Sequence, residues 1–122
     1  MKTPLKLGLA AITMGILANL LFGGGADKDA DVPALIKSGA LVIDTRTAGE
    51  FAGGHIDGAL NIPYDIIAGA IGQQKTDKSK AIIVYCHSGA RSASAKRTLN
   101  KAGYTNVVNA GSLHRMRKLL AK

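Results

Sequence analysis

The sequence predicts an α/β fold: one domain with a mainly parallel central sheet flanked by helices. Three observations carry this expectation. Leu41-Val42-Ile43 and Ala81-Ile82-Ile83-Val84-Tyr85 are short, unbroken apolar runs, the pattern of strands buried on both faces. Segments with helical spacing alternate with these runs, as βα units require. Glycines and prolines stand at the boundaries between them. With 122 residues, 47% hydrophobic and 20% charged, the chain has material for one folded domain and is not of disordered composition.

In chain order, Lys2 and Lys6 precede an uncharged apolar run from Leu7 to Phe22, then Gly23-Gly24-Gly25-Ala26 and acidic Asp27, Asp29 and Asp31. Basic start, apolar stretch and small exit residues are the layout of a secretory signal. Residues 1–26 are therefore expected to be a signal peptide cleaved after Ala26, with an N-terminal membrane anchor as the competing expectation. As a helix the apolar run spans roughly 24 Å, short of the roughly 30 Å hydrocarbon core. Either way the domain, residues 27–122, is expected to be exported, periplasmic or membrane-anchored facing the periplasm.

Within the domain, Val32 to Lys37 is expected to be helical, capped by Asp31, with Pro33 in its first turn and Gly39 beyond its end. Leu41 to Ile43 is the first strand. Thr47 to Ala52 can form a helical turn, Ala59 to Ile62 a second short strand closed by Pro63, and Asp65 to Ile71 a helix. Ala81 to Tyr85 is the clearest buried strand. Ser92 to Ala102 is expected to be a helix with Ala95, Leu99 and Ala102 on one face, stopped by Gly103. Val107-Val108 would add a strand and Leu113 to Leu120 a final basic helix.

Charge and composition narrow the function. The net charge is +8, unevenly spread: residues 27–77 hold all eight acids and four bases, residues 78–122 ten bases and no acid. This favours anionic partners. The 4% aromatic content argues against a base-stacking single-strand binder, and no nucleic-acid partner is expected. A single cysteine permits no internal disulfide, and His55, His87 and His114 are too dispersed for a zinc cluster. No metal or cofactor is expected.

In parallel sheets ligands sit beyond the carboxyl ends of the strands. The residue just past the strongest strand is Cys86, in the segment Cys86-His87-Ser88-Gly89-Ala90-Arg91 that leads into the next helix. A strand-to-helix turn can aim several backbone N–H groups inward, and the helix N-terminus adds about half a positive charge. A thiolate there is stabilised and its pKa lowered. Gly89 permits a tight loop, and Arg91 can grip an oxyanion bidentately. The competing account is a small buried apolar cysteine, and a lone thiol in an oxidising compartment argues against it.

Cys86-His87-Ser88-Gly89-Ala90-Arg91-Ser92 after an apolar strand resembles the active-site loop of the rhodanese family of sulfurtransferases. Phe51, then His55-Ile56-Asp57-Gly58-Ala59 and Pro63, resembles that family's amino-terminal motif, with Asp57 where Pro is usual. Asp44-Thr45-Arg46 followed by Glu50 matches its Asp-x-Arg plus acidic residue. At the carboxyl-terminal motif, Ala110 to Leu113, Leu113 replaces an aromatic and Arg115 an acid. The resemblance spans roughly residues 31–115 and is to the small exported single-domain type. It implies a single rhodanese-like domain and a ping-pong reaction. The Cys86 thiolate would take the outer sulfur of thiosulfate, release sulfite, and pass the sulfur from a persulfide to cyanide or a thiol.

It further implies that the loop from His87 through Ser88, Gly89 and Ala90 to Arg91 binds the substrate. Asp44, Arg46 and His55 would support the site, with Glu50 a possible partner for Arg46. The protein is expected to be a monomer whose partners are a small anionic sulfur donor and a thiophilic acceptor, with membrane contact only if the first segment is retained. Cysteine phosphatases place Arg six positions after Cys. Here it is five, which suits one persulfide sulfur better than phosphate, leaving a phosphatase or arsenate reductase as the weaker alternative. A non-catalytic binding module on the same fold is the other alternative, and the presence of Cys86 counts against it.

Overall fold

The computed structural model describes residues 25–121. The expected signal or anchor lies almost wholly outside them. The elements are α1 (Val32–Lys37), β1 (Leu41–Asp44), α2 (Ala48–Ala52), β2 (Leu60–Asn61), a 3-10 turn (Tyr64–Ile66), α3 (Ile67–Gln73), β3 (Ile82–Cys86), α4 (Ala90–Lys101), β4 (Val107–Ser112) and α5 (Leu113–Leu120). The four strands form one sheet in the order β2-β1-β3-β4, and every neighbouring pair is parallel.

The central strand explains the layers. All five residues of β3 are buried, so both its faces must be covered. Side chains alternate across a strand. Ile82 and Val84 accordingly join Ile43, Ile67, Ile71, Ala95, Leu99 and Tyr104 in a core formed with α3 and α4. Ile83 and Tyr85 join Val32, Val42, Ile56, Ala59, Val108, Ala110 and Met116 in a second core under α1 and α5. The Tyr85 hydroxyl accepts the Ile56 N–H at 3.0 Å, tying the segment after α2 to the sheet. Burial is the main reason the Tyr85 phenol is pushed up to about 12.

Local chemistry sets the boundaries. Asp31 caps α1, accepting from Ala34 N at 3.1 Å. Thr47 caps α2 and forms a reciprocal capping box with Glu50. The segment expected as one helix over Asp65 to Ile71 is a 3-10 turn running into an α-helix that reaches Gln73. The second strand is only Leu60–Asn61. β4 runs on to Ser112, past the expected Val107-Val108, through an irregularity opposite Val84 and Tyr85. The edge of β4 is met by the start of the domain. Asp27 N donates to Asn109 O at 2.8 Å, Asn109 N donates to Asp27 Oδ2 at 2.8 Å, and Lys96 pairs with the same carboxylate at 2.6 Å.

Candidate active site

Cys86 is the last residue of β3 and has no exposed surface. The chain then turns at Gly89, whose φ of 99° is a left-handed conformation that favours glycine. The turn is sharp enough that α4 begins at Ala90, two residues earlier than the spacing predicts. Arg91 therefore lies in the first helical turn.

The sulfur is ringed by donors. Gly89 N donates to Cys86 Sγ at 2.9 Å, and the Ser92 hydroxyl lies 3.5 Å away. Burial pushes the Cys86 thiol up, but the Ser92 hydroxyl and the backbone N–H groups of Ser92, Gly89 and Ser88 more than offset it, and the net shift is downward. His87, Ser88 and Ala90 are exposed on the outside of the loop.

Arg91 is held from across the site. Its Nη1 donates to Glu50 Oε1 at 2.7 Å and its Nη2 to Glu50 Oε2 at 2.9 Å, a bidentate pair between α4 and α2. This bond to Arg91, with the Thr47 N–H second, holds the Glu50 carboxyl far below the usual carboxylate range. The bond to Glu50 is the main reason the Arg91 pKa is raised, and a Cys86 thiolate raises it further. Two of its five N–H donors are used by Glu50, which leaves three for a ligand.

Glu50 is thus not the partner of Arg46. Arg46 closes back on Asp44, with Nε at 2.9 Å from Oδ1 and Nη2 at 2.7 Å from Oδ2, and Nη2 also donates to Gly54 O at 2.7 Å. Both residues are buried at the end of β1, and the bond to Asp44 raises the Arg46 pKa. The reason is proximity: two residues beyond the end of β1 the guanidinium reaches its neighbour's carboxylate directly, while Glu50, on the third position of α2, faces α4. Asn61 completes the brace, donating to Asp44 O at 3.1 Å and Arg46 O at 3.0 Å.

His55 is exposed. Its Nδ1 lies 2.8 Å from Phe51 O and its ring stacks on Phe51 at 3.6 Å between centroids. These contacts shape the turn after α2. Two residues at the sulfur had no role in the sequence reading: Ser92, there only the end of the loop motif and the helix start, and Asn109, whose side chain bonds Ser92, Gly89 and Gly111. Only its position in a strand beside the cysteine strand could have marked Asn109. Among the described residues no group of three or more His, Cys, Asp or Glu side chains is placed to hold a metal.

The model of the rhodanese-like domain matches residues 29–113. The chain belongs to that family. It is 39% identical over 71 residues to the thiosulfate sulfurtransferase PspE of Escherichia coli, covering 58% of this chain and 68% of that one. Two further curated relatives are matched over 54% and 63% of their length. Among solved structures it resembles an E. coli rhodanese described with anions, at 37% identity and a TM-score of 0.60, covering 62% of this chain and 89% of that one. It also resembles the human single-domain sulfurtransferase TSTD1, at 28% identity and a TM-score of 0.64, covering 72% and 90%. Sulfurtransferase is the class of activity these relatives support. At the carboxyl-terminal motif, Leu113 is half-buried against the α5 core, and Arg115 Nη1 donates to Ala110 O at 2.9 Å.

Proposed function

We propose that the protein is a thiosulfate sulfurtransferase working through a persulfide on Cys86. The observation that carries this is the ring of N–H and O–H donors around a single buried sulfur at a strand-to-helix turn. The thiolate attacks the outer sulfur of thiosulfate. A new S–S bond forms, the bond inside thiosulfate breaks, and its electron pair leaves with sulfite. A nucleophilic acceptor, cyanide or a thiol, then takes the terminal sulfur and the thiolate returns. Loop N–H groups stabilise the anionic sulfur at each stage.

The side-on edge of Arg91, its Nε–H and the adjacent Nη N–H that the end-on pair with Glu50 leaves uncommitted, receives the sulfonate. The spacing of Arg91, five residues after Cys86, disfavours phosphate as the substrate. The basic start, apolar run and small residues of positions 1–26 support export to the periplasm, with cleavage near Ala26. A thiosulfate-to-cyanide assay on the purified protein tests the reading: thiocyanate should form, and Cys86→Ser should abolish it. Turnover that survives in Cys86→Ser, or none in the parent, would overturn it.

A further inference from the structure

The Ser92 hydroxyl has more acceptors than it can serve. Asn109 Oδ1 lies at 2.7 Å, Gly89 O at 3.1 Å, and Cys86 Sγ and Gly111 O at 3.5 Å. A hydroxyl carries one proton, so it donates fully to one of them at a time. The shortest contact is to Asn109. The amide orientation is set by its other neighbours: Oδ1 accepts the Gly111 N–H at 3.0 Å, while Nδ2 faces the carbonyls of Gly89 at 3.3 Å and Gly25 at 3.5 Å. Turning the amide over would set its NH2 against the Gly111 N–H. The atom facing Ser92 is therefore an acceptor, and Ser92 must be the donor in that bond.

The balance changes when Cys86 ionises. A thiolate attracts a hydroxyl proton more strongly than a neutral amide oxygen does, because charge-assisted hydrogen bonds are roughly twice as strong. The proton that stabilises the sulfur is the one Asn109 holds at rest. We propose that Asn109 competes with the Cys86 sulfur for the Ser92 proton, which makes it a positioning residue that tempers the nucleophile through Ser92. The proposal rests on Cys86 as the reacting group and adds a residue that neither composition nor spacing indicates. The other charged or titratable groups around the sulfur are Arg91 on α4 with Glu50 of α2 behind it, Tyr64 beside Arg91, and His87 in the loop. All are unchanged in the variants below.

Cys86 is the chain's single cysteine, so thiolate absorbance in the ultraviolet titrates it alone, with Cys86→Ser as the blank. The full-length protein is compared with Ser92→Ala, Asn109→Leu, Asn109→Asp and the two double variants. Ser92→Ala should raise the titration midpoint by roughly half a unit to one unit, the size of one lost hydrogen bond. Asn109→Leu should lower it by about half a unit, giving roughly threefold more thiolate at a fixed pH below the midpoint. In the Ser92→Ala background the same substitution should leave the midpoint unmoved.

An upward shift in Asn109→Leu, or an equal shift with and without Ser92, overturns the proposal, since a loosened loop would act whether or not Ser92 is present. Should Asn109→Leu fail to fold, Asn109→Asp keeps the shape and the Gly111 contact. It should raise the midpoint more with Ser92 present than without, and an equal rise in both overturns the proposal. The titration uses no thiosulfate, so its result stands apart from that of the transfer assay.

Discussion

Arg91 and Glu50 form a strut between α4 and α2, and the same pair leaves Arg91 with donors to spare. The end-on pair fixes the guanidinium, and with it the direction of the side-on edge that carries Nε–H and one Nη N–H. If Arg91 reads the sulfonate, Arg91→Ala should cost about 1.5–3 kcal/mol of transition-state stabilisation, roughly a ten- to hundredfold fall in kcat/KM for thiosulfate. Arg91→Lys should recover only part, because a point charge cannot serve both Glu50 and an oxyanion as a planar fork does. An uncharged sulfur donor should suffer less. Equal losses for both donors in steady-state kinetics would make Arg91 a strut between α2 and α4 and nothing more. The pairing itself was not legible in the sequence, where Glu50 and Arg91 stand 41 positions apart. The placement of Cys86 in a donor-lined strand-to-helix turn and the presence of Arg91 beside it were legible, because both depend on neighbours within one short loop. Asn109 was not, because its importance comes from a strand alignment that spacing does not encode.

At the scale of elements, β3 and α4 were readable because each carries a plain mark: an unbroken apolar run for the strand, and for the helix an apolar face ended by Gly103. Their exact junction was not, since the left-handed turn at Gly89 lets the helix start at once. That turn makes a sharp prediction. Gly89→Ala places a side chain at φ 99°, at a cost of roughly 1–2 kcal/mol, and sets a methyl 3.4 Å from Gly111 Cα. The unfolding free energy should fall by that amount, read as a lower denaturant midpoint at an unchanged slope, and sulfur transfer should fall with it as the Gly89 N–H leaves the sulfur. Unaltered stability would mean that the turn tolerates a side chain and that the loop geometry is not the constraint argued here. The short β2 and the divided helix at Tyr64–Gln73 were blurred in the sequence because two residues of strand carry no periodicity to detect.

For the whole molecule, the parallel sheet was legible from alternation alone, and its two cores follow from the two faces of β3. The architecture carries Cys86 to the carboxyl end of the central strand, where parallel sheets bind ligands. Asp27 docks on β4 and Lys96, so a chain starting at Asp27 keeps this anchorage. Amino-terminal sequencing of protein recovered from the periplasm should find a start near Asp27, and an intact Met1 would indicate a retained anchor. The central claim is the persulfide, and intact-mass measurement after exposure to thiosulfate tests it most directly. One added sulfur atom should appear on the parent protein, vanish on treatment with cyanide, and be absent from Cys86→Ser. No added mass on the parent, or an adduct that persists in Cys86→Ser, would contradict it.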